Sequence, residues 1–210
     1  MPRWLEVVLA VALLVLLAPV LALVAALIRW SSRGPVLYRQ QRVGRGGTTF
    51  TLLKFRTMRV GADREGQLSV GATDPRTTAV GRRLRQHKLD ELPQLVNVVR
   101  GEMSFVGPRP EVPEYVDPTR PEQAEVLRHR PGLTDPASLA FRCEGELLAG
   151  HPDPERYYVE VVLPAKLRLS AAYLRRRSLL GDLRIVLQTA GALRGGAVAS
   201  PAEHLGSEPT

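Results

Sequence analysis

The chain has 210 residues, of which 44% are apolar, and carries a formal net charge of +8 with a pI near 10.3. This length allows one main domain, and the apolar content excludes a disordered polar chain. The single cysteine, Cys143, excludes an internal disulfide and a cysteine-based zinc site. The excess of positive charge predicts an anionic partner, with nucleic acid, anionic lipid and a phosphorylated substrate as the candidates.

The mean hydropathy of −0.08 hides an unbroken apolar run from Val7 to Ile28. As a helix this run would be roughly 33 Å long, enough to cross a bilayer core. A cleavable signal peptide, a spanning anchor and a helix that bends and returns to the same leaflet are the alternatives, and Pro19 favours a bend. Hydropathy alone favours the spanning anchor. By the positive-inside rule, the arginines after the run place this flank in the cytoplasm: Arg29, Arg33, Arg39 and Arg42.

Two β-prone runs around a glycine-rich turn predict a hairpin within 36–58. The polar, turn-rich residues 59–79 predict a mobile loop. A cationic stretch, 81–88, comes next. Apolar residues then repeat at helical spacing over Leu89–Val99, and Gly101 is typical of a helix stop.

The second half is predicted to begin with a rigid turn at 107–110 and a short helical segment at 111–130. A long helical zone at 155–190 and a disordered tail at 191–210 are expected to follow. Breaks in the long zone are expected near Pro164 and Gly181–Asp182, with Asp182 as a helix N-cap. Leucines in this zone alternate with basic residues, Lys166 among them. This pattern fits a helix lying on an anionic membrane surface or an ordinary helix with a solvated basic face.

The segment Arg85–Leu95 is the most informative, because it contains the adjacent carboxylates Asp90 and Glu91. If Asp90 caps the following helix, Pro93 falls in the first turn, where proline is tolerated. The positive end of the helix dipole then stabilises carboxylates and phosphates. An ionised carboxylate can attack phosphorus, and an adjacent one can hold a divalent ion. On spacing alone, simple helix capping is the more frequent explanation.

Other charged positions also have simple interpretations. Lys54 and Arg56 fit a solvated strand face, and Arg109, between two prolines, fits a turn. The histidines show no metal-ligand spacing. Nucleic-acid binding is disfavoured, because only 5% of residues are aromatic and neither a stacking platform nor a reading helix is visible.

Four motifs, in this order, resemble the bacterial sugar transferases, which are monotopic phosphoglycosyl transferases also called polyprenyl-phosphate sugar phosphotransferases: Lys54–Met58, Leu89–Leu95, Asn97–Pro110 and Arg130–Thr134. The resemblance covers about residues 30–190. The chain length is similar to that of the minimal members, which have one N-terminal membrane helix and one catalytic domain.

The resemblance implies a reaction. A sugar 1-phosphate passes from a UDP-sugar to a polyprenyl phosphate such as undecaprenyl phosphate, UMP is released, and Mg²⁺ is required. Asp90 matches the family's nucleophile, which forms a covalent phosphosugar intermediate, and Glu91 matches its Mg²⁺ ligand. Cationic motif positions that we assign to the diphosphate and the acceptor phosphate are Lys54, Arg56, Arg85 and Arg109.

The predicted elements and the resemblance together imply a mainly α chain with a small β-hairpin, of the α+β class. A re-entrant membrane helix (1–32) would precede a catalytic domain (33–190) with interfacial amphipathic helices on the cytoplasmic face of the bacterial inner membrane. The resemblance thus reverses the preference drawn from hydropathy. The family's first helix breaks at a Ser-Pro pair, whereas this chain has Ala18-Pro19. Membrane lipid is an expected partner, and the oligomeric state stays open, with a homodimer among the options.

After Thr134 many members continue with Gly and then Gln, where this chain has Asp135-Pro-Ala-Ser138. The sugar preference therefore does not carry over from the family. A different class of function also stays open, namely a membrane-tethered, non-catalytic binder of anionic lipid or of a phosphorylated ligand. In that case the Asp90–Glu91 pair would only cap a helix.

Overall fold

A computed structural model describes residues 1–66, 68–71 and 74–193. Its helices are α1 (Arg3–Leu16), α2 (Ala18–Ser31), α3 (Ala79–Gln86), α4 (Gln94–Arg100), α5 (Pro121–Leu127), α6 (Pro136–Ala140), α7 (Glu144–Ala149), α8 (Pro154–Tyr157), α9 (Leu163–Arg175) and α10 (Leu179–Leu193). Its strands are β1 (Leu37–Val43), β2 (Thr49–Phe55), β3 (Ser104–Val106) and β4 (Gly132–Thr134). The predicted α+β class is confirmed. Helix α10 covers the first residues of the predicted tail, 191–210, and the rest of that tail lies outside the described residues.

The apolar N-terminal segment forms two helices that meet at Leu17 with a bend of 60°. Pro19 lies in the first turn of α2, where the N–H that proline lacks would have no partner within α2. Among the described helices, none alone is long and apolar enough to cross a membrane, whereas α1 and α2 together have sufficient length and apolar content.

Both ends of this bent pair are fastened to the same body of protein. In α1, Arg3 donates to carbonyl oxygens at the end of α4, and the carboxylate of Glu6 accepts from Ser104. Near the end of α2, Ile28 packs in one cluster with Phe55 of β2. The bend between these attachments exposes a broad apolar surface, formed by Val8, Val11, Val15, Leu16, Val20, Leu23 and Leu27.

The predicted hairpin is confirmed as the antiparallel pair β1–β2, with Leu37 opposite Phe55 and Val43 opposite Thr49. The side chain of Asn97 ties β2 to α4. Its Oδ1 accepts from the backbone N–H of Leu53 at 3.1 Å, and its Nδ2 donates to a β2 carbonyl at 2.8 Å. Lys54 on β2 is thereby held beside the turn that precedes α4.

The described residues within 59–79 are mostly irregular, with a 3-10 turn at Ala62–Glu65 and the start of α3 at Ala79. A buried ion pair that the sequence did not indicate organises this segment. Arg76 Nη2 lies 2.7 Å from Asp74 Oδ2, and the same guanidinium donates to the carbonyl oxygen of Gly66 at 2.8 Å. One arginine therefore joins several turns of the loop.

A second, parallel sheet, β3–β4, was not predicted. Ser104 pairs with Gly132 and Val106 pairs with Thr134. At one end of the pair the backbones of Gly107 and Gly132 approach closely. A Cβ on either glycine would overlap the backbone of the opposite segment. β3 lies in the main core, where its side chains share one cluster with residues of α1, β2, α4 and α10.

The C-terminal helices correct four predictions. Pro164 does not break the helical run from α8 to α9, because a wide π-type turn precedes it and accommodates the ring. The break falls at 176–178 instead, so Gly181 and Asp182 lie inside α10. Asp182 is not the N-cap, since Ser178 Oγ accepts from the N–H of Gly181 at 3.0 Å. Lys166 is not on a solvated face, because its side chain is buried.

Candidate active site

An open cleft of about 2190 Å³ lies between the hairpin, the turn that precedes α4 and the segments that follow β3 and β4. This volume exceeds the roughly 300–1,000 Å³ of ordinary small-ligand pockets, so a nucleotide-sugar would fit. The cleft is lined by all six charged residues that the sequence suggested for the site: Lys54, Arg56, Arg85, Asp90, Glu91 and Arg109.

Asp90 and Glu91 reach the cleft on a 3-10 turn, Leu89–Glu91, and not on the first turn of a helix. Lys88 enters this turn in the left-handed region, with φ +54°, and separates it from α3. Helix α4 begins only at Gln94, with Pro93 at the N-cap position. The prediction that Asp90 caps the helix is therefore wrong. The tight turn projects two consecutive carboxylates towards one cleft.

Glu91 is held by two cations. Arg109 Nη2 donates to Oε1 at 2.8 Å, and Lys54 Nζ lies 3.6 Å from the same oxygen. Burial by itself would raise the pKa of Glu91, but Arg109 and Lys54 outweigh burial and hold the pKa well below its usual range. Glu91 is therefore an anion throughout the physiological range.

Asp90 has the opposite environment. Its side chain is buried, with the residue 7% exposed, and Oδ1 has no hydrogen-bond partner within the described part of the chain. Burial and the neighbouring charge of Glu91 raise its pKa, against the opposing effect of Lys54, Lys88 and Arg85. A buried carboxylate oxygen without a partner is costly. Because Asp90 also lines the cleft, this incompletely paired carboxylate is a candidate for contact with a ligand.

The other predicted cations differ in their surroundings. Desolvation by burial lowers the pKa of Lys54 to about 8, although Glu91 opposes the effect. Arg85 donates from Nε to Thr57 Oγ1 at 2.9 Å and from Nη1 to Ser69 Oγ at 2.5 Å. These contacts fix a guanidinium whose charge acts on Asp90. Lys54 and Arg85 thus give the cleft positive charge beside the carboxylate pair.

Arg56 makes structural hydrogen bonds. Its Nη1 donates to the carbonyl oxygen of Arg33 at 2.9 Å, and its Nη2 donates to the carbonyl oxygen and hydroxyl of Ser32 at 2.9 and 3.0 Å. These acceptors follow the end of α2. A side chain on Gly34 would overlap the guanidinium, and the φ of +125° at this position also favours glycine. Arg56 therefore fastens the end of α2 to the end of β2.

The sequence model of the family described as "Bacterial sugar transferase" matches residues 1–195. The chain belongs to this family. The "UDP-glucose:undecaprenyl-phosphate glucose-1-phosphate transferase" of Caulobacter vibrioides is 41% identical over 196 residues, which cover 91% of this chain and 68% of that protein. The "Exopolysaccharide production protein ExoY" of Sinorhizobium fredii is 35% identical over 206 residues, 91% of this chain and 84% of that protein. An Escherichia coli protein with the same name as the Caulobacter one is 35% identical over 188 residues, 88% of this chain and 38% of that protein.

This bacterial sugar transferase also places charged residues in the cleft that the sequence analysis missed. Lys166 Nζ lies 2.8 Å from Glu144 Oε2 and 3.4 Å from Glu111 Oε1. All three residues line the cleft. Glu111 directly follows the Gly-Pro-Arg-Pro turn, and this position beside Arg109 could have indicated that Glu111 lies near the site. A leucine- and arginine-rich helix gave no sign that its lysine would be buried.

The described part of this bacterial sugar transferase contains no group of three or more His, Cys, Asp or Glu side chains arranged to hold a metal ion. The carboxylate donors at the centre of the cleft are Asp90, with an unpaired oxygen, and Glu91, whose oxygens are shared with cations. Mg²⁺ binds through one or two carboxylates completed by substrate phosphates and water. A carboxylate pair in an open cleft fits that mode of binding.

Proposed function

We propose that this bacterial sugar transferase moves a sugar 1-phosphate from a UDP-sugar to undecaprenyl phosphate and releases UMP, which starts the assembly of a polysaccharide. Two of the relatives are named for a transfer of this kind, and a third is named for exopolysaccharide production. The observation that carries the proposal is the unpaired Asp90 Oδ1 in a cationic cleft.

In the first half-reaction, an oxygen of the Asp90 carboxylate attacks the β-phosphorus of the UDP-sugar. The new bond joins this oxygen to phosphorus. The bond from the β-phosphorus to the oxygen that bridges the two phosphates breaks, and UMP leaves with the electron pair. The enzyme then holds an acyl-phosphate that carries the sugar. Glu91 stays anionic and keeps Lys54 and Arg109 beside the diphosphate.

In the second half-reaction, a phosphate oxygen of the polyprenyl acceptor attacks the same phosphorus, and the Asp90 carboxylate leaves. The cations stabilise the negative charge on the phosphate oxygens in both steps. Asp90 and Glu91 would hold Mg²⁺, which neutralises phosphate charge when it is bound. Arg85 lies beside Asp90 and would contact the phosphate of either substrate.

We propose further that α1 and α2 form a re-entrant segment in the cytoplasmic leaflet of the inner membrane. The 60° bend, the fastening of both ends to one body and the apolar surface near the bend support this topology. Single cysteines at Pro2 and Arg33, in a Cys143→Ser background, test it. Both should react with an impermeant reagent only from the cytoplasmic side, whereas labelling from opposite sides would mean a spanning helix.

The reaction is tested by intact-protein mass spectrometry. With Mg²⁺ and a suitable UDP-sugar but no acceptor, the protein should gain the mass of one phosphosugar at Asp90, and undecaprenyl phosphate should remove it. EDTA should suppress the gain. Asp117→Asn, on the exposed surface, is the matched control for Asp90→Asn. If Asp90→Asn turns over at a rate comparable to wild type, the proposed nucleophile is wrong.

The alternative is a membrane-tethered, non-catalytic binder of anionic lipid or of a phosphorylated ligand. The many basic residues also suit that function. UMP release from a panel of UDP-sugars in the presence of undecaprenyl phosphate separates the two. A wholly inert panel, from protein that still binds UMP, would favour the binder.

A further inference from the structure

The cleft wall beyond Arg109 carries a second charged group that the proposed reaction does not use. We call Lys166, Glu111, Glu144 and Tyr158 the Lys166 cluster. Lys166 Nζ lies 2.8 Å from Glu144 Oε2 and 3.4 Å from Glu111 Oε1. The hydroxyl of Tyr158 lies 3.1 Å from the same nitrogen, and its ring centroid 4.9 Å away. One buried ammonium thus fixes two carboxylates on one wall.

The Lys166 cluster adjoins the catalytic carboxylates through residues 109–111. Arg109 reaches Glu91, and Glu111, two residues further on, reaches Lys166. The charges of Glu144 and Glu111 both act on Arg109, so the two charged groups are neighbours along the cleft. Arg42 fixes Glu111 from β1, with Nη1 3.8 Å from Oε2.

The charges differ between the two parts of the cleft. Around Asp90 the cations suit a diphosphate. In the Lys166 cluster the two carboxylates are matched by the cations Lys166 and Arg42, so this wall offers phosphate no excess of positive charge. This wall therefore suits the uncharged, hydroxyl-bearing part of a nucleotide-sugar, because an ionised carboxylate is a strong acceptor for a hydroxyl.

Glu144 is the better placed of the two carboxylates. Its side chain is 28% exposed, against 14% for that of Glu111, and its contact with Lys166 uses Oε2. Tyr115, which also lines the cleft, lies beside the cluster with its ring centroid 5.3 Å from that of Tyr158. An aromatic wall with a few placed polar groups is the usual composition of a small-ligand pocket.

We propose that Glu144, positioned by Lys166, accepts hydrogen bonds from hydroxyl groups of the transferred sugar and determines part of the sugar specificity. This inference rests on the proposed function. The ribose of the nucleotide offers the same hydroxyl chemistry, and the experiment distinguishes it from the sugar.

The experiment compares Glu144→Gln with wild type in kcat/KM for UDP-glucose, UDP-galactose and the two corresponding N-acetyl sugars, and in the inhibition constant for UMP. The ratio of kcat/KM between the preferred sugar and its competitors should fall by about tenfold, because a site built to bind a hydroxyl discriminates through that bond. The UMP inhibition constant should stay within about twofold. Glu122→Gln, an exposed residue outside the cleft, is the control, and Glu144→Asp is a second variant if the first folds poorly.

Unchanged sugar ratios with unchanged UMP inhibition would overturn the inference while leaving the proposed function intact. Unchanged ratios with weaker UMP inhibition would also overturn it, and would assign Glu144 to the ribose. A wild-type protein that releases no UMP from any UDP-sugar counts against the proposed function. In that case, calorimetric titration of each protein with the four UDP-sugars and with UMP gives dissociation constants. These constants compare Glu144→Gln with wild type in sugar selectivity and in UMP binding without turnover.

Discussion

Two buried aspartates at different places in the molecule show what separates a structural charge from a reactive one. Asp182 in α10 is 1% exposed and fully paired, with Arg177 Nε 3.0 Å and the Tyr173 hydroxyl 2.7 Å from Oδ1. Asp90 is 7% exposed and leaves Oδ1 unpaired.

The two environments move the two pKa values in opposite directions. Burial would raise the pKa of Asp182, but hydrogen bonds from Arg177, Tyr173 and the amino group of Met1 outweigh it and lower the pKa. Burial and Glu91 raise the pKa of Asp90. A buried charge whose oxygens are all paired stabilises the surrounding structure. A buried charge that lacks a partner and lies beside a cleft is a candidate catalytic group.

The largest expected effect is on turnover. Asp90→Asn should reduce kcat by at least about 10³-fold, because it removes the group that forms the covalent intermediate. Asp182→Asn should keep kcat per folded molecule close to wild type. UMP release, normalised to correctly folded protein from size-exclusion chromatography, measures both. Similar losses of kcat in the two variants would remove the distinction drawn between these aspartates.

The next effect is on stability. Asp182→Ala should lower the free energy of unfolding by about 3 kcal/mol, because it leaves the buried amino group of Met1 and the partly buried guanidinium of Arg177 without their partner. Urea titration in a fixed detergent measures the change, with Glu122→Ala at an exposed position as control. A variant as stable as the control would show that Asp182 contributes little.

The contacts of Arg56 with the end of α2 give an effect of intermediate size. Arg56→Gln should lower the free energy of unfolding by about 1.5 kcal/mol, since charge-assisted bonds to the end of α2 are lost. The KM for the UDP-sugar should not change, whereas Lys54→Gln should raise it. A raised KM with unchanged stability in Arg56→Gln would return Arg56 to the phosphate-binding group that its motif suggests.

The pH dependence tests the raised pKa of Asp90. Asp90 must be ionised to attack, so the first half-reaction slows as the pH falls through a pKa that lies above the ordinary aspartate value. Glu91→Gln removes the adjacent negative charge and should move this acid limb to lower pH. Lys54→Gln removes a positive charge and should move it to higher pH. Rates of UMP release in a single turnover locate the limb, and a shift of both variants in one direction would contradict the assignment.

The smallest expected effect is a gain in stability, whereas most mutations destabilise a protein. Asp90→Asn should raise the melting temperature by about 2–4 °C, since replacing a buried, partly unpaired carboxylate with an amide relieves roughly 1 kcal/mol. Differential scanning fluorimetry without substrate measures it. A lower melting temperature would mean that the Asp90 charge stabilises the fold.

Local patterns predicted several elements because their causes are local. Alternating β-prone residues around the glycine turn determine the hairpin, and the long apolar run determines the helices α1 and α2. The adjacent carboxylates are visible in the sequence whatever the fold. The pairing of β3 with β4 was missed, because two three-residue strands joined by a contact between Gly107 and Gly132 give no periodic signal.

The sequence by itself determined the class of elements, the family motifs and the identity of the charged groups at the site. Only the tertiary structure decided the role of each charge. Lys54 on β2 and Arg56 just after it lie two residues apart, yet Arg56 holds the end of α2 and Lys54 faces Glu91. Lys166 belongs to a leucine-rich helix, yet it is buried between two carboxylates. The reason is physical, because the pKa and the role of a charged group depend on burial and on partners that are distant in sequence.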